Sequence, residues 1–97
     1  MPESEASNVQ DLAWIGDGVL ALFARQWILD NQPAGHKSEL FKAMTCNQFL
    51  SSFGRPTEVE AEIGRIYLEK GLENAFAHID RVLVPLFRKQ LANRRKH

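Results

Sequence analysis

The chain of 97 residues is long enough for one domain and too short for two separate hydrophobic cores. Hydrophobic residues make up 44% of it and charged residues 25%, a globular composition that argues against a disordered tail or a fibrous repeat. Twelve Lys and Arg residues balance twelve Asp and Glu residues, so the net charge indicates no particular partner. The single Cys46 excludes an intramolecular disulfide framework and a zinc site built from thiols.

The charges are unevenly distributed along the chain. Six bases and no acid lie between Arg81 and His97, whereas the first seventeen residues contain four acids and no base. The basic end is suited to contact phosphate. The acidic N-terminus does not resemble a secretory or mitochondrial presequence, and charged residues interrupt the apolar run 12–29. We therefore expect a cytoplasmic protein with no membrane segment.

Apolar residues at three- and four-residue steps predict a first helix from Ser7 to about Asp30. Ser7 and Gln10 have the spacing of a capping box, in which the Ser7 hydroxyl accepts a hydrogen bond from the backbone N–H of Gln10. The apolar stripe covers most of the circumference, which predicts a central helix packed on several sides. Pro33 and Gly35 then predict a turn.

A second, shorter helix is predicted to begin at Ser38, with an apolar trace that continues to about Ser52. A third helix is predicted from Thr57, because Thr57 and Glu60 again have the spacing of a capping box. This places Glu60 in the first helical turn, where the helix dipole favours a negative charge. Gly71 is the predicted end of this helix.

A last helix follows, with an apolar stripe that extends to about Leu91. Pro85 lies inside it and predicts a kink in the preceding turn, because proline removes one backbone donor. No segment shows the alternation of a strand. The sequence therefore predicts an all-α fold of four or five helices in a single domain, residues 1–97, with flexible ends at residues 1–6 and 94–97.

Two acids break the apolar pattern. Asp17 lies in the most apolar helix between Gly16 and Gly18, and each interior glycine costs about 0.8–1 kcal/mol relative to alanine. This predicts a close approach by another helix, a ligand or a symmetry mate. Glu60 shares the apolar face of its helix, so both acids tend inward and are suited to hold a divalent cation. The alternatives are a Glu60 that only closes a capping box and an Asp17 that pairs with a buried base or faces solvent.

Two stretches resemble the ribonuclease III family. Residues 12–20, Leu-Ala-Trp-Ile-Gly-Asp-Gly-Val-Leu, resemble the family signature in the form closest to Mini-ribonuclease III. Residues 59–68, Val-Glu-Ala-Glu-Ile-Gly-Arg-Ile-Tyr-Leu, resemble the second metal-binding helix, and residues 41–47 loosely resemble the middle helix. The chain departs from the larger enzymes at Gln10 and Thr57, where they have acids. Residues 51–56 replace a helix pair and a loop rich in glycine and lysine.

The resemblance implies an all-α symmetric dimer that cleaves double-stranded RNA and leaves 5′-phosphate and 3′-hydroxyl ends. On the matching positions, Asp17 and Glu60 are the catalytic carboxylates that hold Mg²⁺, with Mn²⁺ as the alternative and no small-molecule cofactor. Trp14 and Trp27 are both expected to pack in the core, and Trp14 is also a candidate for the dimer interface beside Gly18.

Five bases are candidate RNA contacts: Lys42, Arg55, Arg94, Arg95 and Lys96. The alternatives are a solvated surface for the first two and a frayed end for the rest. Two other functions stay open. The first is a non-catalytic ribonuclease III-like module that dimerises or binds structured RNA. The second is an unrelated helical interaction domain whose glycines and caps resemble the motifs.

Overall fold

A computed structural model describes residues 8–95, which form six α-helices and no strand. The helices are α1 (Val9–Asn31), α2 (Lys37–Thr45), α3 (Asn47–Leu50), α4 (Pro56–Lys70), α5 (Leu72–Val82) and α6 (Val84–Arg95). The predicted all-α class is confirmed. The described part of the chain has more helices than the four or five predicted, because residues 47–50 form a separate helical turn and the last predicted helix is divided. The predicted flexible end 1–6 and residues 96–97 lie outside the described residues.

The N-cap residue of the first helix is Asn8 rather than the predicted Ser7. The Asn8 side-chain oxygen accepts hydrogen bonds from the backbone N–H groups of Gln10 at 2.8 Å and Asp11 at 3.3 Å. The donor that the sequence assigned to Ser7 is therefore satisfied by its neighbour, and Ser7 itself lies outside the described residues. Asparagine is as good an N-cap as serine, so spacing alone did not separate them.

The predicted side-chain caps of two later helices are also wrong. Helix α2 begins one residue before Ser38, and its N-cap His36 makes no side-chain capping bond. Helix α4 begins at Pro56, so Thr57 lies inside it. Proline suits the first helical position because its fixed φ matches the helix and its missing N–H would have had no partner. The acid of the first turn is consequently Glu58, and Glu60 lies beyond that turn.

The predicted breaks at Gly71 and near Pro85 are confirmed in position. Gly71 has a φ of 92°, in the left-handed region that favours glycine, and its N–H donates to the Tyr67 carbonyl. Pro85 cannot donate to the carbonyl four residues earlier, and α5 ends at Val82 with Leu83 between the helices. The predicted kink is therefore a division into two helices.

The core surrounds the inner face of α1, which packs against α4, α2 and α5. Trp27 is 7% exposed and meets Phe87 edge-on at a centroid distance of 5.5 Å, so its predicted packing role is confirmed. The opposite face of α1 is not covered by the described residues, since Leu22 is 44% and Leu29 55% exposed. Helix α1 is therefore less enclosed than its apolar composition predicts. The largest fully buried side chains are Phe87, Leu20, Met44, Leu50, Ile63, Ile79 and Leu83.

By length and composition alone, α1 would also qualify as a membrane-crossing helix. Half of its apolar window is buried inside the fold, and the core helix of a globular domain passes the same test.

Candidate functional site

Helices α1 and α4 cross at two glycines without a side chain between them. A Cβ atom built on Gly16 would lie 2.7 Å from the Glu60 carbonyl carbon and 2.9 Å from the Gly64 nitrogen. A Cβ atom on Gly64 would lie 3.0 Å from the Leu12 carbonyl carbon. The close approach predicted from these glycines is therefore that of one helix backbone to the other. The contacts pair residues 12 and 64, and 16 and 60, so the two helices run in opposite directions.

The crossing brings together the two acids predicted as the site. Asp17 follows Gly16 on α1, and Glu60 contributes the backbone carbonyl that faces Gly16. The two carboxyl groups lie close enough for Asp17 to raise the pKa of Glu60. The prediction that both acids face inward is wrong for Asp17, whose side chain is exposed, whereas Glu60 is half-buried. The pair therefore lies at the edge of the α1–α4 contact and is open to solvent on one side.

The pKa of Glu60 is raised from an ordinary 4.5 to about 7, and burial is the largest cause of this rise. The proximity of the Asp17 side chain and its negative charge raise the pKa of Glu60 further in the same direction. Near neutral pH Glu60 is therefore protonated part of the time. A carboxyl group that keeps its proton because it is partly buried beside a second acid is chemically suited to exchange that proton for a cation.

The donor set of this pair fits a hard divalent cation. Both groups offer carboxylate oxygens, which Mg²⁺ and Mn²⁺ prefer. Within residues 8–95 no cluster of three or more His, Cys, Asp and Glu side chains could hold a metal ion. An ion held by Asp17 and Glu60 would thus complete its coordination with water, as Mg²⁺ commonly does with one or two carboxylates.

The predicted RNA contacts are dispersed over the fold. Arg55 is exposed at the N-cap of α4, five residues before Glu60. Among the candidate RNA contacts with described side chains, it is the one that adjoins the helix of a site carboxylate. Lys42 is exposed on α2, which packs mainly against α1 rather than α4. Arg94 and Arg95 are the last residues of α6, where the side chains lie outside the described part of the chain, as does Lys96.

Trp14 and Gly18 lie one helical turn apart on the uncovered face of α1. Trp14 is 80% exposed, so the prediction that it packs in the core is wrong. A Cβ atom on Gly18 would meet nothing within 4 Å, so no element in the described part of the chain makes the close approach predicted there. Together with Leu22 these residues form an exposed apolar surface, which we call the outer strip. The outer strip is where the sequence predicts the dimer interface.

Sequence reasoning did not find a second site, a cleft between α1 and α2 that involves Arg25, Lys37 and Phe41. Helical spacing places Arg25 on the uncovered face of α1, but its contact with Phe41 depends on how α2 packs. No local pattern in the sequence indicates that packing.

Comparison of the chain with protein-family profiles, curated proteins and solved structures finds no match in any of the three. The resemblance to ribonuclease III stays a prediction that rests on the residues of the two motifs.

Proposed function

We propose that the protein is a divalent-metal-dependent endoribonuclease that hydrolyses double-stranded or structured RNA, with Asp17 and Glu60 as its metal-binding carboxylates. The observation that supports this most is the meeting of these two carboxyl groups across the α1–α4 crossing. They come from different halves of the chain, and the ribonuclease III resemblance assigns the same pair to the metal. A surface role would not require two helix backbones to approach so closely beside them.

The chain's own residues would prepare the site in three ways. Gly16 and Gly64 fix the distance between the helices that present the carboxylates. Glu60 would hold the cation as a carboxylate after releasing its proton, and Asp17 would provide the second negatively charged ligand. When bound, such an ion supplies an activated water and neutralises charge that develops on the phosphate.

Exposure of Asp17 favours a polymeric substrate over a small one. A duplex is too wide to enter an enclosed pocket, whereas a carboxyl pair at an open helix edge is accessible to a phosphate on its surface. Arg55, on the same helix as Glu60, would contact the RNA backbone, and such contacts weaken as salt increases.

The outer strip supports a symmetric dimer as the active form. Trp14 exposes more of its surface than any other large apolar residue in the described chain. Gly18 lets a second helix approach α1, and a two-fold axis near it would place Trp14 of one protomer against Leu22 of the other. Two carboxyl pairs would then face one RNA molecule.

Cleavage of uniformly labelled double-stranded RNA tests the proposal. We expect cutting in Mg²⁺ that EDTA abolishes and that Asp17→Asn and Glu60→Gln each abolish. Asp11→Asn and Glu58→Gln are matched controls, because they remove a first-turn acid from the same two helices; both should cut at the wild-type rate. Undiminished cutting by both site variants would show that the catalytic assignment is wrong.

The second candidate is a non-catalytic module that binds structured RNA or only dimerises. The small donor set favours it, since just two carboxylates meet at the crossing, and residues 51–55 are all that joins α3 to α4. A folded protein that retards the labelled duplex on a gel in Mg²⁺ without cutting it would favour this candidate over the enzyme.

A further inference from the structure

A cleft of about 400 Å³ opens between the C-terminal half of α1 and the start of α2, away from the carboxyl pair. Three apolar and three polar residues line it: Ile28, Leu29 and Phe41, and Arg25, Lys37 and Ser38. Arg25 lies eight residues beyond Asp17, which is about 12 Å along the helix axis. The cleft is therefore a separate feature of the surface.

The positive charges of the cleft have no acidic partner within 4 Å among residues 8–95. The Arg25 guanidinium lies 4.4 Å from the centroid of the Phe41 ring, and this contact holds it at the cleft. In the described chain, the ion pair formed within 4 Å joins Arg65 and Glu62 on α4, so neither Arg25 nor Lys37 is paired with a carboxylate. An apolar surface thus lies directly beside two uncompensated cations.

We propose that this cleft binds a small organic anion with an apolar body, of the class of medium-chain monocarboxylates. The hydrocarbon part contacts Ile28 and Leu29, and the carboxylate accepts hydrogen bonds from Arg25 and Lys37. The Ser38 hydroxyl adds a third donor at the same mouth. The cleft volume is within the range that encloses ligands of this size, and the planar edge of a guanidinium matches a carboxylate.

Charge complementarity favours this occupant over a neutral one. The outer strip of a second copy would offer Trp14, whose indole would cover Arg25 and Lys37 without neutralising either charge. Covering a cation without a hydrogen-bonding partner costs free energy, because its hydration is lost. A carboxylate replaces that hydration, whereas an indole does not.

Titration calorimetry with octanoate tests the proposal on the full chain. We expect octanoate to bind at least tenfold more tightly than 1-octanol, which lacks the charge, and than acetate, which lacks the chain. Arg25→Gln and Lys37→Gln should each weaken octanoate binding about tenfold or more, with circular dichroism confirming the fold. Lys89→Gln, an exposed base on α6, and Asp17→Asn should leave the affinity unchanged.

Three results would overturn the proposal. Equal binding of 1-octanol would show an apolar surface that ignores charge, and octanoate binding unaffected by both cleft variants would place it elsewhere. A large gain in octanoate affinity in Trp14→Ala would identify Trp14 of a second copy as the natural occupant. Because Asp17 and Glu60 take no part, each of these results leaves the RNA-cleavage proposal unaffected.

Discussion

Gly16→Ala tests the helix crossing most directly, because the added methyl group has nowhere to go. Its Cβ would lie 2.7 Å from the Glu60 carbonyl carbon and 2.9 Å from the Gly64 nitrogen. Both are backbone atoms of α4, so no side-chain rotation relieves the overlap, and the two helices must move apart. Separation of the helices also opens the packing of Leu12, Ala13 and Ala61 beside the crossing.

The expected loss of stability combines two opposing effects. Overpacking costs about 1–3 kcal/mol, and a clash with backbone atoms, which cannot rotate away, belongs in the upper part of that range, about 2–3 kcal/mol. Alanine in place of glycine inside a helix gains about 0.8–1 kcal/mol. The net destabilisation is about 1–2 kcal/mol, a substantial part of the roughly 5–15 kcal/mol that holds a domain folded. For a domain of this size the Tm should fall by roughly 4–16 °C.

Gly18→Ala is the matched control, two residues away on the same helix. Its Cβ would meet nothing within 4 Å, so only the helix-propensity gain applies and the Tm should rise by roughly 4–8 °C. Urea unfolding gives both free energies, and sedimentation velocity at the same low protein concentration ensures that monomers are compared. A Gly16→Ala variant as stable as Gly18→Ala would refute the close crossing.

Three further predictions concern pH and capping. Burial and Asp17 raise the pKa of Glu60 to about 7, so its contribution to stability is full below pH 4.5 and is lost as the pH rises through 7. Between pH 5 and pH 8, the free energy of unfolding of Glu60→Gln in urea should rise by about 1 kcal/mol relative to the wild type, after discounting for solvent screening. A difference between the two proteins that does not change with pH would contradict this. Burial chiefly lowers the pKa of His78, so its contribution to stability is lost as the pH falls below 6.5; the free energy of unfolding of His78→Gln should therefore rise relative to the wild type between pH 7.5 and pH 5, and a relative fall would contradict this. Asn8→Ala should lower the free energy of unfolding by about 1 kcal/mol, while Asn8→Asp retains the cap and most of the stability; equal losses in thermal melts would argue against a capping role.

The helical content of the fold was predictable because it depends on local patterns. Three- and four-residue apolar steps located α1, and Gly71 and Pro85 marked the ends of helices through properties of their own backbones. The caps were less predictable. Several polar residues precede α1, and spacing alone did not show that Asn8 rather than Ser7 accepts the first free N–H.

The pairing of Asp17 with Glu60 was predictable from the motifs, but its degree of burial was not. Helical periodicity gives the direction of a side chain on its own helix and says nothing of how far the neighbouring helix extends over it. The same limit explains Trp14, whose apolar character suggested core packing although none of the helices described here covers it. Gly16 and Gly18 are alike in sequence, and only the position of α4 distinguishes them.

The glycine crossing separates two properties that many folds combine. In many folds the distance between polar groups on neighbouring helices depends on the side chains packed between those helices, so a change in the core alters geometry and stability together. Here that distance is limited by direct contact between main-chain atoms of α1 and α4. Repacking of the core around Leu83 and Phe87 would change how readily the protein unfolds, and it would leave the distance between the two carboxylates unchanged. The core is therefore free to vary among sequences that preserve Gly16 and Gly64.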